Sequence, residues 1–171
     1  DAPAGLRRVA ASRDLLAAIL RHLSLVVPDD VPTLSSALAQ AAPWQSVLLR
    51  SGEHLVDARV DGKPGSSVLR LTSPVRLRGE RGTILRGTIV AEAGCAGGSM
   101  SDLSVEDAGD CCLRCEGGVW DLRRLRLRCA HGAALKASNG AKVELHECVM
   151  GGEAKSEMGV HVVLSAYGSV Q

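Results

Sequence analysis

Apolar residues in the C-terminal half of this 171-residue chain recur every 22 or 23 positions. Leu103 and Leu125 are 22 residues apart, and so are Leu113 and Leu135. A repeat of this length is typical of a solenoid, because a single coil cannot bury its own apolar face and must stack on its neighbours. The spacing predicts coils at about 89–107, 108–129, 130–153 and 154–171, the last of them lengthened by an inserted loop.

Superposing these coils predicts which residues point inward and which point outward. Opposite charges on adjacent strands favour the register by a few tenths of a kcal/mol to about 1 kcal/mol per pair. The predicted inward stack is Leu103, Leu125 and Cys148. The predicted outward rungs are Asp102 with Arg124 and Glu147, and Glu106 with Arg128.

The basic segment at 123–128 has two interpretations. In one, its arginines belong to a ladder of ion pairs on a solvated sheet face. In the other, Arg124, Arg126 and Arg128 form an anion-binding stripe that contacts a partner. We keep these three arginines as candidate partner-binding residues.

The composition agrees with a narrow core and limits the function. Phe is absent, and the aromatic residues are Trp44, Trp120 and Tyr167. A solenoid interior can be filled by aliphatic and cysteine side chains, whereas a sugar-binding groove usually uses exposed rings. The formal net charge of +1 gives no global indication of nucleic-acid or anionic-membrane binding. No apolar stretch reaches the length of a membrane span.

The first part of the chain has a helical pattern, so we predict a helical cap over residues 1–45 and β-helix repeats over 46–171. Residues 14–25 place one broad apolar face along a helix that Pro28 brings to an end. That face consists of Leu15, Leu16, Ile19, Leu20 and Leu23. A second helix is predicted over 33–42, with Thr33 as its N-cap.

After residue 43 the periodicity changes to that of short strands. Strands are predicted at Val47–Leu49, Val68–Leu71 and Val75–Gly79, because apolar and β-branched residues dominate or alternate there. Turns are predicted at Ser51–Glu53 and Gly62–Gly65.

The run VPTLSSALAQAAPWQSVLLRSGEHL, followed by SPVRLRGERGTILRG, resembles the opening of a pectin-lyase-like parallel β-helix. In that family a capping helix leads into V-x-x-x-x-G-x-Y, and a later V-x-L-x-G begins the next coil. Gly52 and Gly79 match the two glycines, while His54 or Leu55 stands at the tyrosine position. The resemblance covers about residues 31–171. It implies an all-β solenoid, a right-handed parallel β-helix with N-terminal capping helices.

The segment DLLAAILRHLSLVVPDD resembles the helical end of an F-box, L-x-x-I-x-x-x-L-x-L. In proteins that join an F-box to a β-helix, the helices dock a ubiquitin-ligase adaptor and the β-helix binds the substrate. The resemblance implies that the docking residues are Leu15, Leu16, Ile19, Leu20 and Leu23. The alternative is a helix that covers the open strand edge of the β-helix.

The six cysteines lie between residues 95 and 148, and one set of them has a metal-like spacing. Cys112 and Cys115 form a C-x-x-C pair near Cys129 and His131, which raises a zinc site as a hypothesis. A second C-x-x-C pair is missing. The alternative is that the cysteines are small apolar side chains of the stacked coils. We predict no metal and no cofactor.

The carboxylates in the middle of the chain do not show the DxD or DD spacing of the active site of polysaccharide-active β-helices, so we predict that the protein is not an enzyme. These carboxylates are Asp102, Glu106, Asp107, Asp110 and Asp121. The predicted function is a non-catalytic protein-binding or scaffold solenoid. The alternatives are a structural subunit of a larger multi-protein assembly and a carbohydrate-binding or polysaccharide-active β-helix. The expected partners are proteins, either a large assembly or a ubiquitin-ligase adaptor, and not nucleic acid. An intracellular location is favoured, because the chain shows no secretory signal pattern.

Overall fold

Successive coils contribute one strand each to three parallel sheets, which together form a β-solenoid of about five turns. The structure is a computed structural model that describes residues 24–56, 67–108, 110–129, 132–151 and 162–164. The all-β solenoid predicted from the repeat is therefore confirmed. One short helix, α1 (Leu34–Gln40), lies between the first two strands.

The three sheets are named A, B and C in the order in which each coil passes through them. Sheet A contains β1 (Ser24–Val27), β2 (Ser46–Leu49), β5 (Val75–Gly79), β8 (Gly97–Ser101), β11 (Val119–Arg123) and β14 (Lys142–His146). Sheet B contains β3 (Gly52–Leu55), β6 (Thr83–Arg86), β9 (Ser104–Ala108), β12 (Arg126–Cys129) and β15 (Val149–Gly151). Sheet C contains β4 (Val68–Leu71), β7 (Thr88–Ala91), β10 (Cys111–Cys115), β13 (Ala133–Ala137) and β16 (Val162–Leu164).

The register between coils follows the spacing found in the sequence. Leu113 lies opposite Leu135, and Trp120 lies opposite Val143. Neighbouring strands of a sheet are about 4.8 Å apart, so equivalent residues of successive coils stack directly on one another. The spacing of the apolar repeat therefore equals the number of residues in one coil.

The core is a column of side chains that point inward from the three sheets. On sheet A the fully buried side chains of Val47, Leu77, Met100 and Leu122 form one continuous stack. Aliphatic side chains fill such a column without large rings, which accounts for the low aromatic content of the chain.

Trp120 is the exception in this column, and the coil before it makes room for the ring. The indole is fully buried, and its Nε1–H donates a 2.9 Å hydrogen bond to the carbonyl oxygen of Gly117. Gly98 lies directly opposite Trp120 in β8, and a Cβ added at Gly98 would lie 3.0 Å from the indole ring. The large residue and the small residue therefore form a complementary pair between adjacent coils.

Two elements predicted in the N-terminal segment fall within the described residues, and they have different outcomes. The helix predicted over 33–42 is confirmed as α1, and Thr33 caps it by accepting a 3.2 Å hydrogen bond from the backbone N–H of Ser36. Ser24 and Leu25 were predicted to end the first helix, and this prediction is wrong, since they belong to β1. They pair with β2 in sheet A, and pairing of this kind overrides weak helix propensity.

The structure describes only one of the two predicted turns and the last residues of the first predicted helix. The turn predicted at Ser51–Glu53 is wrong in part, because Gly52 and Glu53 already belong to β3. The turn predicted at Gly62–Gly65 and the inserted loop of the last coil lie outside the described residues. So do the five apolar residues of the first predicted helix, Leu15, Leu16, Ile19, Leu20 and Leu23.

The corner that joins sheet A to sheet B has a left-handed backbone conformation that was not predicted from the sequence. Asp102, Arg124 and Glu147 occupy equivalent positions there, with φ angles of 61°, 50° and 55°. Positive φ is uncommon for residues other than glycine, and here it recurs in three successive coils. The left-handed corner predicted at Asn139-Gly140 is confirmed, with φ angles of 52° and 75°.

Candidate functional site

An open groove of about 950 Å³ runs along the corner between sheets A and B. Its charged lining spans three successive coils, of which the first and third contribute arginines, and it includes two carboxylates, Glu80 and Asp102. We call it the arginine groove and define it by Arg78, Arg81, Arg124 and Arg126.

The solenoid register brings these arginines together. Arg78 is the second-to-last residue of β5, and Arg81 lies in the corner that follows this strand. Two coils later, Arg124 lies in the equivalent corner and Arg126 is the first residue of β12. The coils approach closely at this point, since a Cβ added at Gly79 would lie 2.6 Å from the carbonyl oxygen of Asp102. Residues almost fifty positions apart in the chain thereby share one surface.

Asp102 lies between two of these arginines and organises the groove. Arg124 donates to Asp102 through Nε at 2.6 Å and through Nη2 at 2.9 Å, and Arg78 Nε lies 3.8 Å from Oδ2. Hydrogen bonds from Arg124 hold the pKa of Asp102 below its ordinary value. The predicted outward pairing of Asp102 with Arg124 is confirmed, and Glu147 on the same corner attracts Arg124 electrostatically.

Replacing Asp102 by Asn should remove a pH-dependent component of stability. Because the folded-state pKa of Asp102 is depressed, this component is present above the unfolded pKa of about 3.9 and disappears as the pH falls through the folded pKa. The pair is partly exposed, so we expect a loss of no more than about 1 kcal/mol at pH 7. Asn tolerates positive φ, so the corner is kept.

The check is the difference in unfolding free energy between Asp102→Asn and the parent chain, measured by urea denaturation from pH 7 to pH 2.5. The difference should shrink towards zero at the acid end. A difference that stays constant over this range would show that the ion pair is not its source.

The second predicted ion pair is wrong. Glu106 was expected to face Arg128, but its carboxylate lies 3.6 Å from Arg86 Nη1 of the preceding coil. The pairing of β9 with β12 shifts between Leu127 and Cys129, which interrupts the register at that rung. Arg128 is left exposed, with no ion pair to any residue in the described part of the chain.

The distribution of ion pairs distinguishes sheet C from the other two sheets. On sheet C, Arg70 pairs with Glu92 at 3.2 Å, and Asp110 pairs with Arg114 at 2.7 Å and with Lys136 at 3.1 Å. Within the described ranges, by contrast, several exposed arginines form no ion pair, and all of them lie on sheet A, on sheet B or at the corner between them. These are Arg76, Arg81, Arg126 and Arg128.

The structure brings some of the predicted contact residues together and adds others. Arg124 and Arg126 share the arginine groove, whereas Arg128 lies two residues farther along β12 on the same outward face. Sequence reasoning missed Arg78 and Arg81. Their signal was the alternation Val75-Arg76-Leu77-Arg78, which indicates an arginine-bearing outward face, but nothing local showed which later coil would lie beside it.

The cysteines are free thiols, and most of them are buried in the solenoid. Burial raises the pKa of Cys111 to about 11 and that of Cys115 to about 12, and it also raises the pKa of Cys112. These thiols are therefore held in their neutral form, which is less reactive than the thiolate. The residues that the structure describes contain no group of three or more potential metal ligands, and His131 of the hypothesised set lies outside them.

No helix in the described ranges is both long enough and apolar enough to cross a membrane. Comparisons of this chain with protein-family models, with curated proteins and with solved structures found no significant match.

Proposed function

We propose that this solenoid is a non-catalytic scaffold that binds an acidic segment of a protein partner through the arginine groove and the adjoining faces of sheets A and B. The observation that carries the proposal is the clustering of the unpaired arginines. Arg76, Arg81, Arg126 and Arg128 lie on two adjoining faces, while the cations of sheet C are matched by carboxylates.

Guanidinium groups suit such a partner because their planar donors match the two oxygens of a carboxylate. A single exposed pair of this kind contributes only about 0.2–1 kcal/mol. Useful affinity therefore requires several contacts at once, which a row of arginines can provide to a segment with several acidic residues. The same charges increase the rate of association at low ionic strength.

The lining of the groove supports a binding role better than an acid-catalytic or sugar-binding role. Glu80 and Asp102 are each hydrogen-bonded by an arginine, and these bonds lower the pKa of both carboxyls. Neither carboxyl is then suited to donate a proton at neutral pH. Trp120 is buried, and Trp44, the other aromatic residue among the described ones, does not line the groove.

The resemblances to pectin-lyase-like β-helices and to F-box proteins are also part of this proposal. Gly52 and Gly79, together with coils of three strands, support a pectin-lyase-like β-helix. Docking of a ubiquitin-ligase adaptor, and membership of a large assembly, remain predictions. The residues implied for adaptor docking, Leu15, Leu16, Ile19, Leu20 and Leu23, lie outside the described part of the chain.

The test is the binding of a fluorescein-labelled peptide of 20 glutamates, followed by fluorescence anisotropy at low salt. We expect the double variant Arg81→Gln/Arg126→Gln to weaken binding at least tenfold. Both side chains are exposed and form no ion pair with described residues, so the fold should be unaffected.

The matched control is Arg70→Gln/Arg114→Gln, which removes the same charge from sheet C and should weaken binding less than threefold. Equal losses in the two double variants would contradict a localised site. A heparin oligosaccharide of equal charge is the second ligand, and tighter binding of heparin than of polyglutamate would contradict a protein partner.

A further inference from the structure

A second, smaller groove of about 300 Å³ lies on the outward face of sheet A and shares Arg78 with the arginine groove. We call it the serine–arginine groove. Its polar lining comes from four neighbouring strands and consists of Ser24, Ser46, Arg76, Arg78, Ser99 and Ser101.

The two cations in this groove are arranged along one strand and not across the coils. Arg76 and Arg78 are both exposed on β5, where they alternate with buried residues. The residues opposite Arg76 in the adjacent strands are Ser46 and Ser99. Same-face residues two positions apart on a strand are about 6.6 Å apart, so the groove presents two positive charges at that spacing along β5.

The serines supply hydrogen-bond donors beside the guanidinium groups. Ser101 already donates to Asp102, which is one reason why the pKa of that carboxyl is low. Ser46 and Ser99 are half-buried, and their hydroxyls form no hydrogen bond with any residue in the described ranges. A ligand carboxylate at Arg76 would therefore have the charged guanidinium as one donor and the neutral hydroxyls of Ser46 and Ser99 as donors on either side of it.

The far side of the groove limits where an acidic ligand can lie. The next strand along the same row carries Asp121, which lies opposite Ser99 and is paired with Arg123 at 2.7 Å. The strand beyond carries Glu144 at the equivalent position. Since Arg123 is paired with Asp121, that end of sheet A offers an acidic ligand no unpaired arginine among the described residues and presents Glu144, whereas the row along β5 offers Arg76.

We propose that the serine–arginine groove recognises an extended acidic peptide whose carboxylates occur at alternate positions. An extended peptide also repeats its same-side residues every 6.6–7 Å, so residues i and i+2 reach Arg76 and Arg78 together. The peptide then continues across Arg78 into the arginine groove. This inference rests on the proposed function, and it specifies the acidic segment that the partner would carry.

The experiment compares two labelled eight-residue peptides of identical composition, the alternating peptide Glu-Thr-Glu-Thr-Glu-Thr-Glu-Thr and the block peptide Glu-Glu-Thr-Thr-Glu-Glu-Thr-Thr. Peptides of this length form no stable helix in water. In the extended conformation the alternating peptide carries all of its carboxylates on one side at successive i and i+2 positions, whereas the block peptide has no two glutamates at positions i and i+2. We expect the alternating peptide to bind at least fivefold more tightly in anisotropy titrations.

Arg76→Gln should reduce binding of the alternating peptide to the level of the block peptide and leave block-peptide binding within twofold. Arg70→Gln on sheet C is the charge-matched control and should change neither. Equal binding of both peptides, with both lost in Arg81→Gln/Arg126→Gln, would overturn the spacing inference and leave the proposed function standing. Failure of both peptides and of polyglutamate to bind would overturn the two together.

Discussion

Replacing Trp120 by alanine should lower the free energy of unfolding by about 3–5 kcal/mol. The indole is fully buried in the column and belongs to the principal cluster of buried residues. Removing it leaves a cavity that the rigid stack of coils cannot collapse to fill, and Gly98 opposite offers no side chain to occupy the space. Urea denaturation monitored by circular dichroism would measure the loss.

The control for this change is Val119→Ala, one residue earlier in β11. Val119 is 54% exposed, so its truncation should change the unfolding free energy by less than about 0.5 kcal/mol. A loss below about 1 kcal/mol for Trp120→Ala would mean that the indole is not packed between coils as described.

Replacing Gly97 by alanine should destabilise the protein by at least about 3 kcal/mol. Gly97 has a φ of 129°, and an added Cβ would lie only 2.0 Å from the carbonyl oxygen of Val119 in the next coil. Backbone strain of this kind costs about 1–3 kcal/mol, and overpacking costs a further 1–3 kcal/mol. The clash involves backbone and not a flexible side chain, so the paired strands themselves would have to separate.

Gly52 separates the two contributions in this prediction. Its φ is 126°, close to that of Gly97, but a Cβ added there would meet nothing within 4 Å. Gly52→Ala should therefore lower the free energy of unfolding by the backbone strain alone, about 1–2 kcal/mol. If the two alanine variants lost equal stability in urea denaturation, close contact between coils at Gly97 would be ruled out as the larger cause.

The repeat spacing was sufficient to predict most of the coil register. The pairing of Leu113 with Leu135 follows from positions in the sequence, because parallel coils of equal length must superpose equivalent residues. The prediction failed for Glu106, where a shift in pairing interrupts the register. A separate prediction, that Ser24 belongs to the end of the first helix, was wrong because Ser24 pairs with Ser46 in sheet A.

The residues of the candidate site were harder to predict from the sequence than the fold was. Arg124 and Arg126 stood out because they lie in one basic segment, and the structure places both in the arginine groove. Arg78 and Arg81 lie more than forty positions earlier, and their proximity depends on how many coils intervene and on which face each strand turns outward.

The sequence alone determined the solenoid class, the coil length of 22–23 residues and the cap of α1 at Thr33, because each depends on periodicity or on contacts within a few residues. Only the tertiary structure decided the left-handed corners at Asp102 and Arg124 and the choice of Arg86 as the partner of Glu106. Those features arise from the stacking of one coil on the next, which imposes backbone angles and neighbours that no local segment specifies by itself.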